Sequence, residues 1–84
     1  MRDLSQPVTA LHVGDLYRET TSSGVRVLRV DAIGDPIPLC DDSCREIFCT
    51  VIRHECGGTV TEPMTATHLR ARQLLSGAYT AEEI

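Results

Sequence analysis

The chain is 84 residues long with a net charge of −4, and its basic side consists of eight arginines without a lysine. That length gives one domain at the small end of the range, where staples or oligomerisation commonly supplement a modest core. The acidic balance weighs against nucleic-acid binding, which usually draws on a basic excess, and no apolar run approaches the length of a bilayer span.

With no Trp, one Phe and two Tyr, the core has to come from Val, Leu and Ile, a composition that leans toward strands. Asn is absent together with Lys, as in coding from a GC-rich genome. The opening stretch Met1-Arg2-Asp3-Leu4-Ser5-Gln6-Pro7 lacks an apolar signal core, so a cytoplasmic location is expected. Ordinary thiols stay reduced there, which turns attention to metal ligation, redox pairing or simple burial for clustered cysteines.

Residues 12–19 (HVGDLYRE) read as a Gly14-Asp15 turn leading into a first strand, and residues 20–24 (TTSSG) as a polar turn. Residues 25–33 (VRVLRVDAI) are the strongest strand by β-branched content. Their apolar side chains fall on both parities, Val25, Val27 and Ile33 on one and Leu28, Val30 and Ala32 on the other. Either both faces are covered or a bulge switches the register. Residues 34–43 (GDPIPLCDDS) hold two prolines and three aspartates and read as an irregular excursion.

A hairpin follows, with one strand over residues 46–56, a Gly57-Gly58 turn and a return over residues 59–64. A two-residue turn would oppose Arg53 to Glu62, Val51 to Met64 and Ile52 to Pro63. Pro63 cannot donate to a ladder, so the return should be an edge or stop there. In residues 65–76 (TATHLRARQLLS), Leu69, Leu74 and Leu75 with a starting Thr and a terminating Gly77 predict a short helix or 3-10 segment. The expected organisation is one domain over residues 1–77 and a flexible tail over residues 78–84.

The framework Val13-Gly14-Asp15-Leu16-Tyr17-Arg18, Arg26-Val27-Leu28-Arg29-Val30-Asp31, Cys49-Thr50-Val51-Ile52 and Thr65-Ala66-Thr67-His68-Leu69 resembles uncharacterised SH3-like proteins of high-GC bacteria and their phages. The resemblance implies a mainly β fold, an SH3-like small barrel of about five strands with a short C-terminal helical or 3-10 segment. It also implies an interaction module without catalytic residues. The cysteine-bearing excursion and the missing basic character depart from that pattern.

All four cysteines, Cys40, Cys44, Cys49 and Cys56, lie in the stretch that holds the excursion and the hairpin strand. Cys40 and Cys44 have the C-x3-C spacing of half a structural zinc site, and His54 with Cys56, two apart on a strand, share a face that could supply the other half. Cys49 has the opposite parity and is assigned to the core. Three states are open for the cluster: one structural zinc on Cys40, Cys44, His54 and Cys56, free thiols, or a disulfide or redox pair. A thiolate with His12, His54 or His68 could in principle act as a nucleophile, but nothing in the sequence positions such a pair. The arginines form no continuous stripe.

The hairpin strand presents Ile47, Cys49 and Val51 on one face, and Phe48, Thr50, Ile52 and His54 on the other. If the Ile47 set is inward, Phe48 and Ile52 are an exposed apolar pair of the kind that contacts a partner; the alternative is that strand twist buries both sets. The resulting expectation is a non-enzymatic interaction or regulatory module, a phage-encoded accessory protein working in the host cytoplasm on a protein partner or by self-association. The alternatives are a nucleic-acid-associated regulator and a zinc-stabilised or redox domain.

Overall fold

Six antiparallel strands make up the sheet of the computed structural model, which describes residues 11–82. They are β1 (Leu16–Thr21), β2 (Gly24–Ile33), β3 (Glu46–Cys56), β4 (Thr59–Thr61), β5 (Thr65–Arg70) and β6 (Tyr79–Ala81); a 3-10 turn spans Asp42–Cys44 and a helix, α1, spans Ala71–Leu74. The order is β4-β3-β2-β1-β6, with β5 also paired to β3. The fold is therefore mainly β, as expected. It has one strand more than anticipated, and the sheet is open, with no closed barrel among the described residues. The first ten residues of the expected domain, and Glu83 and Ile84 of the expected tail, lie outside the described residues.

The mixed parity of β2 is resolved by bulges. Its register with β3 shifts between Val27 and Leu28 and again between Val30 and Ala32. At the first shift β3 has the extra residue, Ile52, because Val27 opposes Arg53 while Leu28 opposes Val51. At the second the extra residue is Asp31 of β2. Leu28 and Val30 consequently enter the core, and the second bulge returns Ile33 to its margin. Only glycine fits at position 24, where φ is +132° and a Cβ would collide with the Glu55 carbonyl of β3.

Leu28, Val30, Ile47, Cys49 and Leu74 are the largest of the fully buried side chains, joined in one cluster by Leu11, Tyr17, Val51 and Ala71. α1 contributes Ala71 and Leu74 and so covers the sheet's apolar face. Full burial of an aliphatic side chain contributes about 1.5–3 kcal/mol, so this single turn of helix matters to a core of so few large residues.

Near its turn the hairpin has the expected register, with His54 opposite Thr61, Glu55 opposite Val60 and Cys56 opposite Thr59. Beyond Thr61 it does not. Pro63 has no N–H to offer, Met64 turns into the left-handed region at φ 54° and donates its N–H to the Val51 carbonyl at 2.8 Å, and β5 resumes one residue out, with Val51 opposite Thr65. The expected Arg53–Glu62, Ile52–Pro63 and Val51–Met64 pairings are thus displaced, and Arg53 instead meets Glu55 at 2.9 Å on its own strand.

The helix expected over residues 65–76 is shorter than its apolar spacing suggested. Thr65–Arg70 form a strand with six residues paired against β3, and only Ala71–Leu74 are helical. The threonines of β5 suit a pleated edge, and pairing with β3 outweighs the leucine spacing. The tail differs too: Tyr79–Ala81 pair with β1, and Glu82 donates to the Leu16 carbonyl at 2.8 Å. Half-buried Tyr79 packs against the core and holds this strand in place.

Candidate functional site

Between β2 and β3 the chain leaves the sheet at Gly34, whose N–H donates to the Glu46 carbonyl at 2.7 Å and closes the base of the excursion. The Cys40 N–H donates to the Ile37 carbonyl at 3.2 Å, making a tight turn with Pro38 and Leu39 at its centre. Proline presets the first central position, but the second requires positive φ and normally takes glycine. Here it is Leu39, at φ 64°, with its side chain wholly in solvent (108% exposed).

Asp41 caps the 3-10 turn that follows, accepting from the Ser43 N–H at 2.9 Å and from the Ser43 hydroxyl. These bonds hold its carboxyl below the usual carboxylate range. The turn is tied to its surroundings by three further bonds. Arg70 Nη1 donates to the Cys44 carbonyl at 2.9 Å, the Ala71 N–H to the Arg45 carbonyl at 2.9 Å, and Arg45 Nε to the Gly34 carbonyl at 2.7 Å. The first residue of α1 is seated on this loop.

Cys40 and Cys44 are joined as a disulfide, with Cα atoms 6.2 Å apart, within the usual span for such a bond. The expected Cys40, Cys44, His54 and Cys56 zinc set does not assemble. His54 is ten residues beyond Cys44 along β3, roughly 30 Å of extended chain, where it opposes Arg26 and Thr61. Cys56 is exposed beside the Gly57-Gly58 turn. The potential ligands that do cluster are Cys40, Asp41 and Cys44, whose donor atoms lie within 4.8 Å of one another. After reduction, two thiolates and this carboxylate could fill three positions around a thiophilic divalent cation such as zinc. Asp41 was not anticipated as a member; its place between Cys40 and a capped turn was the available signal. Cys49 lies in the core at 2% exposed, and burial pushes its thiol up to about 11.

On β3 the Ile47, Cys49 and Val51 set faces the core, and Phe48 is turned to the other side at 41% exposed. Phe48 lies in a row with Ala32 of β2 and His68 of β5, its ring 6.1 Å from the His68 ring. With Gly34, Asp35, Ile37 and Glu46 it lines an open depression of about 380 Å³. Ile52 is half-buried at the bulge, separated from Phe48 by Thr50, so the two do not form the adjacent pair expected from parity. Thr50 donates to Asp31, as does Arg29 Nε at 2.8 Å, and the two bonds depress the Asp31 carboxyl.

At the opposite end of the sheet, Tyr17, Leu74, Leu75 and Tyr79 help line a second depression of about 400 Å³ under α1. Glu19 beside it accepts from Arg26 at 2.9 and 2.6 Å. Burial first, then the Glu19 charge, raises the Tyr79 hydroxyl. The chain matches no protein-family model, no curated protein and no solved structure.

Proposed function

We propose that the chain is a small non-enzymatic interaction module of SH3-like kind, which engages a protein partner through the depression lined by Ile37 and Phe48 together with the exposed Leu39 two residues beyond Ile37 in the same loop. The meander of strands with a single helical turn before the last one supports the SH3-like reading. The observation that carries the function is Leu39, an aliphatic side chain held in a conformation that disfavours it and projected fully into solvent. Strain and apolar exposure both oppose folding stability, and their coincidence at one position is a mark of contact surfaces. Phe48, the sole phenylalanine, adds an aromatic to the same end of the sheet. Asp35 and Glu46 border the depression and the chain carries a net charge of −4, so the matching partner surface is aliphatic or aromatic with Lys or Arg beside it.

Nucleic-acid association fits the arginines less well. Arg18 lies by Glu82, Arg26 by Glu19, Arg29 by Asp31 and Arg53 by Glu55, while Arg45 and Arg70 donate to carbonyls. Cations engaged in this way offer few contacts for phosphate. Among the described residues no helix is long and apolar enough to cross a membrane.

The test is a comparison of surface variants with unchanged melting behaviour. A partner recovered on the immobilised chain, identified and then purified, should bind the wild type but not Leu39→Asp or Phe48→Asp, while Val60→Asp, on the far hairpin, should bind normally. Equal binding by all three would remove this surface from consideration. Self-association lost in the first two variants alone would identify the partner as a second copy.

A further inference from the structure

We propose that Cys40 and Cys44 are a reversible thiol–disulfide site for small-molecule disulfides of the glutathione class, and that the state of this bond sets how firmly α1 is seated. Three observations carry the proposal. Cys40 is exposed and Cys44 half-buried in one short turn, so a small oxidant reaches the first sulfur and the second is already at hand. Neither residue belongs to the core cluster, which keeps its apolar side chains whether the bond is open or closed. The turn they close is also structural, because the Cys44 carbonyl receives Arg70 and the Arg45 carbonyl next to it receives the first N–H of α1.

The chemistry balances within these groups. The Cys40 thiolate attacks one sulfur of the small disulfide, giving a mixed disulfide and releasing one small thiolate, which takes up the proton that Cys40 lost. The Cys44 thiolate then attacks the Cys40 sulfur, closing the ring and releasing the second small thiol. Two electrons pass from the cysteine pair to the oxidant, and an excess of small thiol reverses both steps.

Cys56 is an internal contrast, since it is exposed and lies at the other end of β3 from this pair. In buffers of graded glutathione to glutathione-disulfide ratio, the full chain carrying Cys56→Ser should show one reversible two-electron transition. Acid-quenched mass analysis should find Cys40 and Cys44 converting together with no lasting adduct. Amide exchange over residues 71–75 should be at least severalfold faster in the reduced chain, while exchange in β2 and β3 at Leu28 and Cys49 stays the same. Cys44→Ser should stop at a persistent adduct on Cys40. A pair that stays reduced at every ratio, or one that holds two separate adducts, would overturn the site. Ring closure with unchanged exchange over residues 71–75 would overturn its coupling to α1.

Discussion

Replacing Leu39 by glycine should stabilise the fold. A non-glycine residue in the left-handed region costs about 1–2 kcal/mol, and at φ 64° Leu39 bears that cost. Glycine removes it but gives the unfolded chain more freedom, a loss of about 0.4–1 kcal/mol. No burial is forfeited, because the leucine side chain makes its contacts with solvent. The net gain is about 0.5–1 kcal/mol, which for a domain of this size raises the melting temperature by about 3–6 °C. Leu39→Ala is the control: it keeps the Cβ, and with it the strain, so its melting temperature should stay near that of the wild type. Both are measured by thermal and urea unfolding of the oxidised chain. A Leu39→Gly variant that melts below the wild type would refute the reasoning, since it would mean that the leucine makes stabilising contacts.

Leu28→Ala, at the centre of the cluster, should cost about 3–4 kcal/mol in urea titrations, a large share of the about 4–12 kcal/mol expected for a chain of this length. Glu19→Gln removes the charge that faces Arg26 at 2.6 Å in a pair only partly open to water; the expected loss is about 1 kcal/mol, and a double-mutant cycle with Arg26→Ala should show coupling of that order. Cys49 titrates near 9 when unfolded and at about 11 when folded, so the unfolded chain loses this proton first and stability falls as pH rises through that interval. The melting temperature of Cys49→Ala should decline less steeply between those pH values than that of the wild type, and parallel declines would show that the thiol is not linked to folding.

Local chemistry was legible in this sequence wherever neighbouring residues decided the structure. The Gly57-Gly58 hairpin and the shared face of Ile47, Cys49 and Val51 follow from alternation and turn chemistry, whereas the choice of that face as the inward one and of bulges as the cause of the mixed parity in β2 is made by packing and register. Pro63 signalled the end of the first ladder, but the one-residue slip that seats β5 depends on Met64 adopting positive φ, which no residue preference announces. Residues 65–70 depart from the short helix or 3-10 segment expected within 65–76 because the spacing of Leu69, Leu74 and Leu75 cannot distinguish a short helix from an edge strand followed by a helical turn. Strand β6 rests on a non-local partner, β1, and no pattern inside its three residues reveals that.

The candidate site shows the same division. Alternation correctly puts side chains on faces but says nothing of distance along a strand, so His54 and Cys56 suited a zinc set by parity while lying at the wrong end of β3. Leu39 escaped notice because the Pro38-Leu39 turn lacks the glycine that marks positive φ in a sequence.

What unites the loop's features is its relation to the sheet. Arg18, Arg26, Arg29 and Arg53 pair with carboxylates on or beside the strands, while the excursion carries a disulfide, three aspartates and a strained leucine. A disulfide that closes so short a ring, with a sequence separation of 4, restricts the unfolded chain by only about 2 kcal/mol in the chain-entropy account. Global stability therefore depends chiefly on the core. The bond instead acts locally, on a turn whose carbonyls hold Arg70 and Ala71. In a compartment poised near the potential of glutathione, a weakly stabilising bond of this kind is the sort that can be opened and closed without unfolding the sheet beneath it.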